Sequence, residues 1–132
     1  MALTVLLAGL PQQQARADAA DDLVKKLRAN AALAHGPFAV VFRLTAKLGE
    51  AAAIQQTMQR ILPLTRAEPG CLSFALHRDA DDPRTFFLYE RWRGVDDLAA
   101  HLHTPYVQEA FRVYAASATD NGHASFGVML EP

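Results

Sequence analysis

Thr85-Phe86-Phe87-Leu88-Tyr89-Glu90-Arg91-Trp92 is the stretch on which the reading of the fold turns. Its aromatic content favours extended backbone. Its side chains sort with a period of two: Phe86, Leu88, Glu90 and Trp92 share one side, Phe87, Tyr89 and Arg91 the other. Just upstream, Asp79-Ala80-Asp81-Asp82-Pro83 is dense in turn formers. Before that turn Cys71–Arg78 alternates too, with Leu72, Phe74 and Leu76 facing one way and Ser73, Ala75 and His77 the other. Two alternating runs joined by a turn predict a hairpin.

Outward from the hairpin the period changes. Ile54, Met58, Ile61, Leu62 and Thr65 fall at helical spacing, Pro63 is expected to kink or shorten that helix, and Glu68-Pro69-Gly70 stops it. Phe38, Val40, Phe42 and Leu44 alternate with Ala39, Val41, Arg43 and Thr45 as a first strand. Beyond Arg93-Gly94, Val95, Leu98 and Leu102 align on one helix, which Thr104-Pro105 interrupts. Val107, Ala110, Phe111 and Tyr114 align on a second. Asp120-Asn121-Gly122 marks a loop, and Phe126–Leu130 reads as the last strand.

The order β-α-β-β-α-β is the split pattern of a ferredoxin-like α+β fold, with a four-stranded antiparallel sheet and helices on one face. The bare face would carry Val41, Ala75 and Phe87, so a second copy is expected to cover it. A homodimer follows from the pattern.

The N-terminal part is different in kind. Met1–Leu10 is nearly all apolar, yet too short to span a bilayer. Ala15-Arg16-Ala17 before Asp18 has the form of a small-residue cleavage site, so residues 1–17 read as a leader. Export is expected if they are one, and a cytoplasmic location otherwise. Asp21 and Asp22 precede Lys25, Lys26 and Arg28, a charge order that suits the helix dipole. Residues 18–36 are therefore expected as a helical extension outside the domain proper, ended by His35-Gly36-Pro37, with the domain at 37–132.

Bulk numbers limit the chemistry. The chain has 132 residues, half of them hydrophobic, and a formal net charge of −1. That suits one soluble domain and shows no electrostatic footprint for nucleic acid. The single cysteine, Cys71, rules out an intramolecular disulfide and any multi-cysteine metal site, and reads as a small buried filler. Phosphate-loop, dinucleotide and zinc-protease motifs are not found.

Three stretches resemble the antibiotic-biosynthesis-monooxygenase family: Glu68-Pro69-Gly70-Cys71-Leu72, Phe86-Phe87-Leu88-Tyr89-Glu90-Arg91-Trp92, and Leu98-Ala99-Ala100-His101-Leu102-His103-Thr104-Pro105-Tyr106. With the first strand, the resemblance covers Phe38–Leu130. It implies a dimeric α/β barrel with a pocket between each sheet and its own helices. Characterised members include cofactor-independent oxygenases of anthrones and quinols, haem-degrading enzymes, and an isomerase of a phosphorylated signalling sugar.

His101 borders the apolar face of its helix and matches the family's histidine after the third strand. Its ordinary pKa suits a general base. Glu90 lies on an apolar strand side and should have a partner, either His101 or an arginine. Trp92, with Phe74, Tyr89, Tyr106 and Phe111, is expected to wall an aromatic substrate. The resemblance assigns Arg112 to an oxygen-derived anion. His103 cannot pair with His101 on a metal, because residues two apart on a helix point away from each other, and no metal site is expected. Two departures from the family's pattern matter. Leu88 stands where the anthrone oxidisers carry asparagine, and the start of the first strand lacks the asparagine of the haem degraders.

The expected function is oxidation of an electron-rich aromatic, quinol- or anthrone-like, by O2 without flavin or metal. Isomerisation of a small carbonyl compound, phosphorylated or not, is the alternative; a phosphorylated one would need a phosphate-binding cluster, for which Arg43, Arg91 and Arg93 do not obviously converge. A non-catalytic ligand-binding dimer would make His101 dispensable.

Overall fold

The computed structural model describes residues 2–120 and 122–131, with side chains described from residue 12 onward. Its elements are α1 (Ala2–Ala29), β1 (Phe38–Thr45), α2 (Ala51–Arg66), β2 (Cys71–Arg78), β3 (Thr85–Trp92), α3 (Val95–Leu102), α4 (Pro105–Ser117) and β4 (His123–Val128). The sheet runs β2-β3-β1-β4 with every neighbouring pair antiparallel. This is the α+β ferredoxin-like arrangement expected from the hairpin outward, with an extra helix at the N-terminus.

β3 fits its sequence pattern closely. Phe86, Leu88, Glu90 and Trp92 are buried, and Phe87, Tyr89 and Arg91 are half-buried on the opposite face. The inner face packs against the helices. Val40 and Leu44 of β1 and Phe74 of β2 join Ile54, Met58 and Ile61 of α2 in one core with Leu98, Leu102 and Ala110 of α3 and α4. The outer face leaves Val41 42% exposed, which is high for a strand valine.

Four details differ from the sequence reading. Leu72 does not share a face with Phe74 and Leu76: the register slips between Cys71 and Ser73, and Leu72 is left half-exposed. One extra residue on a bulged strand turns its side chain off the ladder, and no periodicity reveals it. β4 begins at His123 and ends at Val128, because its register is set by β1, where Arg43 faces His123 and Phe38 faces Val128. Leu130, expected in that strand, is almost fully exposed. α2 continues through Pro63 to Arg66, so the helix carries the proline inside its last turn, without the backbone donor at that position, rather than stopping at it.

The fourth concerns α1. It is one helix from Ala2 to Ala29, so its backbone runs through the segment expected as a leader, much of whose side-chain reading lies outside the described residues. The helix stops at Asn30 rather than at His35-Gly36-Pro37. The Asn30 side chain there accepts a hydrogen bond from the backbone of Ala32, an alternative to the helical ladder. Nor does it lie apart from the domain: Ala20, Val24 and Leu27 are buried in the common core. Among the described residues, no helix is long and apolar enough to cross a membrane.

Gly70 holds its place through space rather than backbone freedom, since its φ is not positive. A Cβ there would lie 2.2 Å from Cβ of Asp97 and 2.0 Å from its Cγ. Its carbonyl accepts from Arg93 N at 2.9 Å. The turn before β2 is thereby pressed onto the start of α3, which carries the site histidine.

Candidate active site

A cavity of about 480 Å³ lies between the sheet and its helices. Its walls are mostly apolar: Val40, Phe42, Phe74, Leu88 and Phe126 from the strands, Leu98, Leu102, Val107 and Phe111 from α3 and α4. Among these walls stand His101, Glu90, Tyr114 and, from α1, Arg16.

His101 is placed by α3. Gly94 starts that helix, Asp96 and Asp97 occupy its first turn, and Val95, Leu98 and Leu102 bury the same face as His101. Thr104 ends the segment twice over. Its hydroxyl donates to the His101 carbonyl at 2.8 Å, and the same oxygen accepts from Val107 N to cap α4, with Pro105 at the first turn. The imidazole is 5% exposed and sits among aromatic rings, with centroids 4.7 Å from Trp92, 5.9 Å from Phe74 and 6.4 Å from Tyr106.

Its polar partner is Glu68, not Glu90. His101 Nδ1 lies 2.7 Å from Glu68 Oε2, and the Tyr106 hydroxyl donates to that same oxygen. A carboxylate accepts only, so Nδ1 carries the proton and Nε2 is the basic nitrogen. Burial lowers the His101 pKa, with the contact to Glu68 pulling the other way. Tyr106 is pushed up to about 12, first by burial and then by Glu68, and stays a donor.

Glu90 finds its partner on its own strand. Trp92 Nε1 donates to Glu90 Oε2 at 2.8 Å, two residues on along the same face. Burial outweighs that bond and raises the carboxyl from 4.5 to about 7. Glu90 thus faces the cavity poised between its acid and carboxylate forms near neutral pH.

Of the residues expected at the site, His101, Glu90, Phe74 and Phe111 line the cavity. Trp92 is fully buried behind His101 and Tyr106 lies behind Glu68, so both support the site rather than wall it. Tyr89 points to the opposite face of the sheet, as the alternation of β3 requires. Arg112 is exposed and bonded to Glu109 through both oxygens, at 2.9 and 2.6 Å, and does not line the cavity. Arg43 and Arg93 are likewise paired with Asp79 and Asp97, and neither they nor Arg91 line it. His103 reaches back to α1, with Nε2 2.9 Å from Asp21. Cys71 is half-buried and burial raises its thiol pKa, in keeping with a filler.

Sequence reasoning missed Glu68, Arg16 and Tyr114 as site residues. Glu68 was legible as part of a Pro-Gly helix stop and of a family-like stretch, and neither marks it as the partner of His101. Among the described residues, no group of three or more histidine, cysteine or acidic side chains is placed to hold a metal.

Residues 37–113 match the antibiotic biosynthesis monooxygenase family. The chain belongs to that family. Among solved structures, the protein PA3566 from Pseudomonas aeruginosa is similar at 27% identity and a TM-score of 0.69, over 73% of this chain and 96% of its own. Rv0793 from Mycobacterium tuberculosis follows at 25% identity and 0.68, over 73% and 97%. A Deinococcus radiodurans protein whose description carries the family's name aligns at 26% identity and 0.66, over 72% and 94%. A curated relative, the uncharacterised Synechocystis protein sll1783, is 35% identical over 51 residues, which is 39% of this chain and 35% of that protein. The chain therefore matches about a third of that relative's length. The family match runs from β1 into α4 and leaves α1, the end of α4 and β4 outside it.

Proposed function

We propose that this member of the family is a cofactor-independent monooxygenase of electron-rich hydroxyaromatics. The observation that carries the reading is a buried histidine, oriented by a carboxylate 2.7 Å away, in the wall of an apolar cavity large enough for a ring system. Such a site can do one demanding thing: take a proton from a bound phenol and keep the resulting anion away from water.

His101 Nε2 removes the phenolic proton while Glu68 holds the ring and steadies the imidazolium. Tyr106 donates to the same carboxylate and fixes it in turn. The aryl oxide gives one electron to O2. Recombination of the two radicals puts a hydroperoxide on a ring carbon, and loss of water leaves one atom of O2 on the oxidised product. Glu90, pushed up to about 7, supplies a proton to the departing oxygen. The role expected for Arg112 has no support, because its guanidinium is paired with Glu109 at the surface.

A second copy covering the outer sheet face agrees with the exposure of Val41 and with the stacked His77 and Phe87 rings, 4.7 Å apart, on that face. The isomerase alternative loses its motive, since Arg43, Arg91 and Arg93 stay off the cavity and two of them are paired.

The test is oxygen uptake by the purified protein with a panel of reduced quinols, with and without a ring carboxylate, beside His101→Ala. Turnover above the spontaneous rate that disappears in the variant supports the oxygenase. No turnover with any quinol discards it and leaves a ligand-binding protein.

A further inference from the structure

The cavity has two polar atoms that the scheme above does not use. Arg16 Nε of α1 and Tyr114 Oη of α4 are buried, have no hydrogen-bond partner among the described residues, and belong to side chains that line the same cavity. Both are donors. Buried donors without partners are rare, and each calls for an explanation.

Partners among the described residues do not supply one. Arg16 enters no ion pair among the described residues. Residues 1–11, whose side chains are not described, contain no aspartate or glutamate. The nearby acid Glu109 feels the Arg16 charge, yet both its oxygens are taken by Arg112. Tyr114 is 4% exposed, with Phe42 and Phe111 each 6.2 Å from its ring, and its side chain lines the cavity.

We propose that Arg16 and Tyr114 hold the carboxylate of an aromatic acid whose ring lies on the apolar walls of the cavity. The assignment rests on reading this cavity as the substrate site, and it names the substrate class: hydroxyaromatic carboxylates rather than neutral quinols. A cation with an unshared donor selects an anion, and a phenolic O–H lining the same cavity offers it a second hydrogen bond. The cation comes from α1, which lies N-terminal to the matched residues 37–113. The same helix supplies Ala15, Ala19, Ala20 and Leu23 to the cavity wall, so it places the anchor and covers the ring at once.

Isothermal titration of the full chain with 2-naphthoate and with its uncharged isostere 2-naphthamide tests this without requiring turnover. Naphthoate is expected to bind roughly tenfold or more tightly than naphthamide, as one charge-assisted hydrogen bond implies. Arg16→Gln should abolish the difference by weakening naphthoate alone, Arg16→Lys should keep part of it, and Tyr114→Phe should weaken naphthoate several-fold. Equal affinities in the wild type, no binding of either probe, or an equal loss of both in Arg16→Gln would overturn the proposal. Charge-selective binding without oxygen uptake removes the oxygenase and keeps the anion site; uptake with neutral quinols and no charge preference does the reverse.

Discussion

His101 Nδ1 and Glu68 Oε2 lie 2.7 Å apart although 33 positions separate them in the chain. The turn at Pro69-Gly70 and the start of α3 press together to bring this about, and both residues are largely withdrawn from water, with side chains 6% and 17% exposed. If the pair is the base and its positioning group, His101→Ala should lower kcat by about a hundredfold or more. Glu68→Gln should lower it less and move the acidic limb of the kcat profile downward in pH, since the carboxylate raises the imidazole pKa. An unmoved profile in Glu68→Gln would reduce Glu68 to a structural part.

Glu90 and His101 should pull stability in opposite directions with pH. The folded Glu90 binds its proton up to about pH 7 whereas the unfolded one releases it near 4.5, so its contribution is full below 4.5 and is lost as pH rises to 7. The loss amounts to about 3 kcal/mol as an order of magnitude. The folded His101 pKa is below 6.5, so its contribution is present above 6.5 and is lost as pH falls below 6.5 through the lowered folded value. Urea midpoints at several pH values, compared with Glu90→Gln, check this. The variant should lose the decline between pH 4.5 and 7.

Trp92 holds Glu90 as well as filling the core. Trp92→Phe keeps most of the ring volume but removes the Nε1–H that donates to Glu90 Oε2. A cost of about 1–3 kcal/mol is expected, and Glu90 should titrate higher still because that bond lowers its pKa. Urea denaturation gives the first, and carboxyl titration by NMR the second. An unchanged Glu90 pKa would contradict the pairing.

α1 is expected to behave as part of the domain. Leu27 is 4% exposed in the common core, so Leu27→Ala should destabilise the whole protein by about 2–4 kcal/mol in one cooperative transition. A change below about half a kcal/mol would return α1 to the status of an appendage.

The outer sheet face gives a fifth expectation. Val41 lies in the middle of β1 with Tyr89 and Ser125 opposite it on the neighbouring strands. A charge placed there, as in Val41→Glu, should turn a dimer into a monomer by light scattering while oxygen uptake per site changes little. A monomeric wild type would remove the second copy.

What the sequence determined by itself was the ladder of elements and which side of β3 goes inward. Period-two alternation in Thr85–Trp92 and helical spacing in α2 to α4 are local properties, written residue by residue and enforced by burial. Those signals sufficed for the fold and put His101 at the border of an apolar helix face; the family resemblance, not periodicity, singled it out as a base. What the tertiary structure alone decided was the partners. Glu68 meets His101 through a close approach that only a glycine at position 70 allows. Glu90 turns to Trp92 on its own strand, Arg112 turns away to Glu109, and Arg16 reaches the cavity because α1 folds onto the domain. Each of these choices depends on the distances between separate elements. Periodicity fixes the face of an element and is silent on its neighbours, so the charged groups of the site could be read only after the elements were packed.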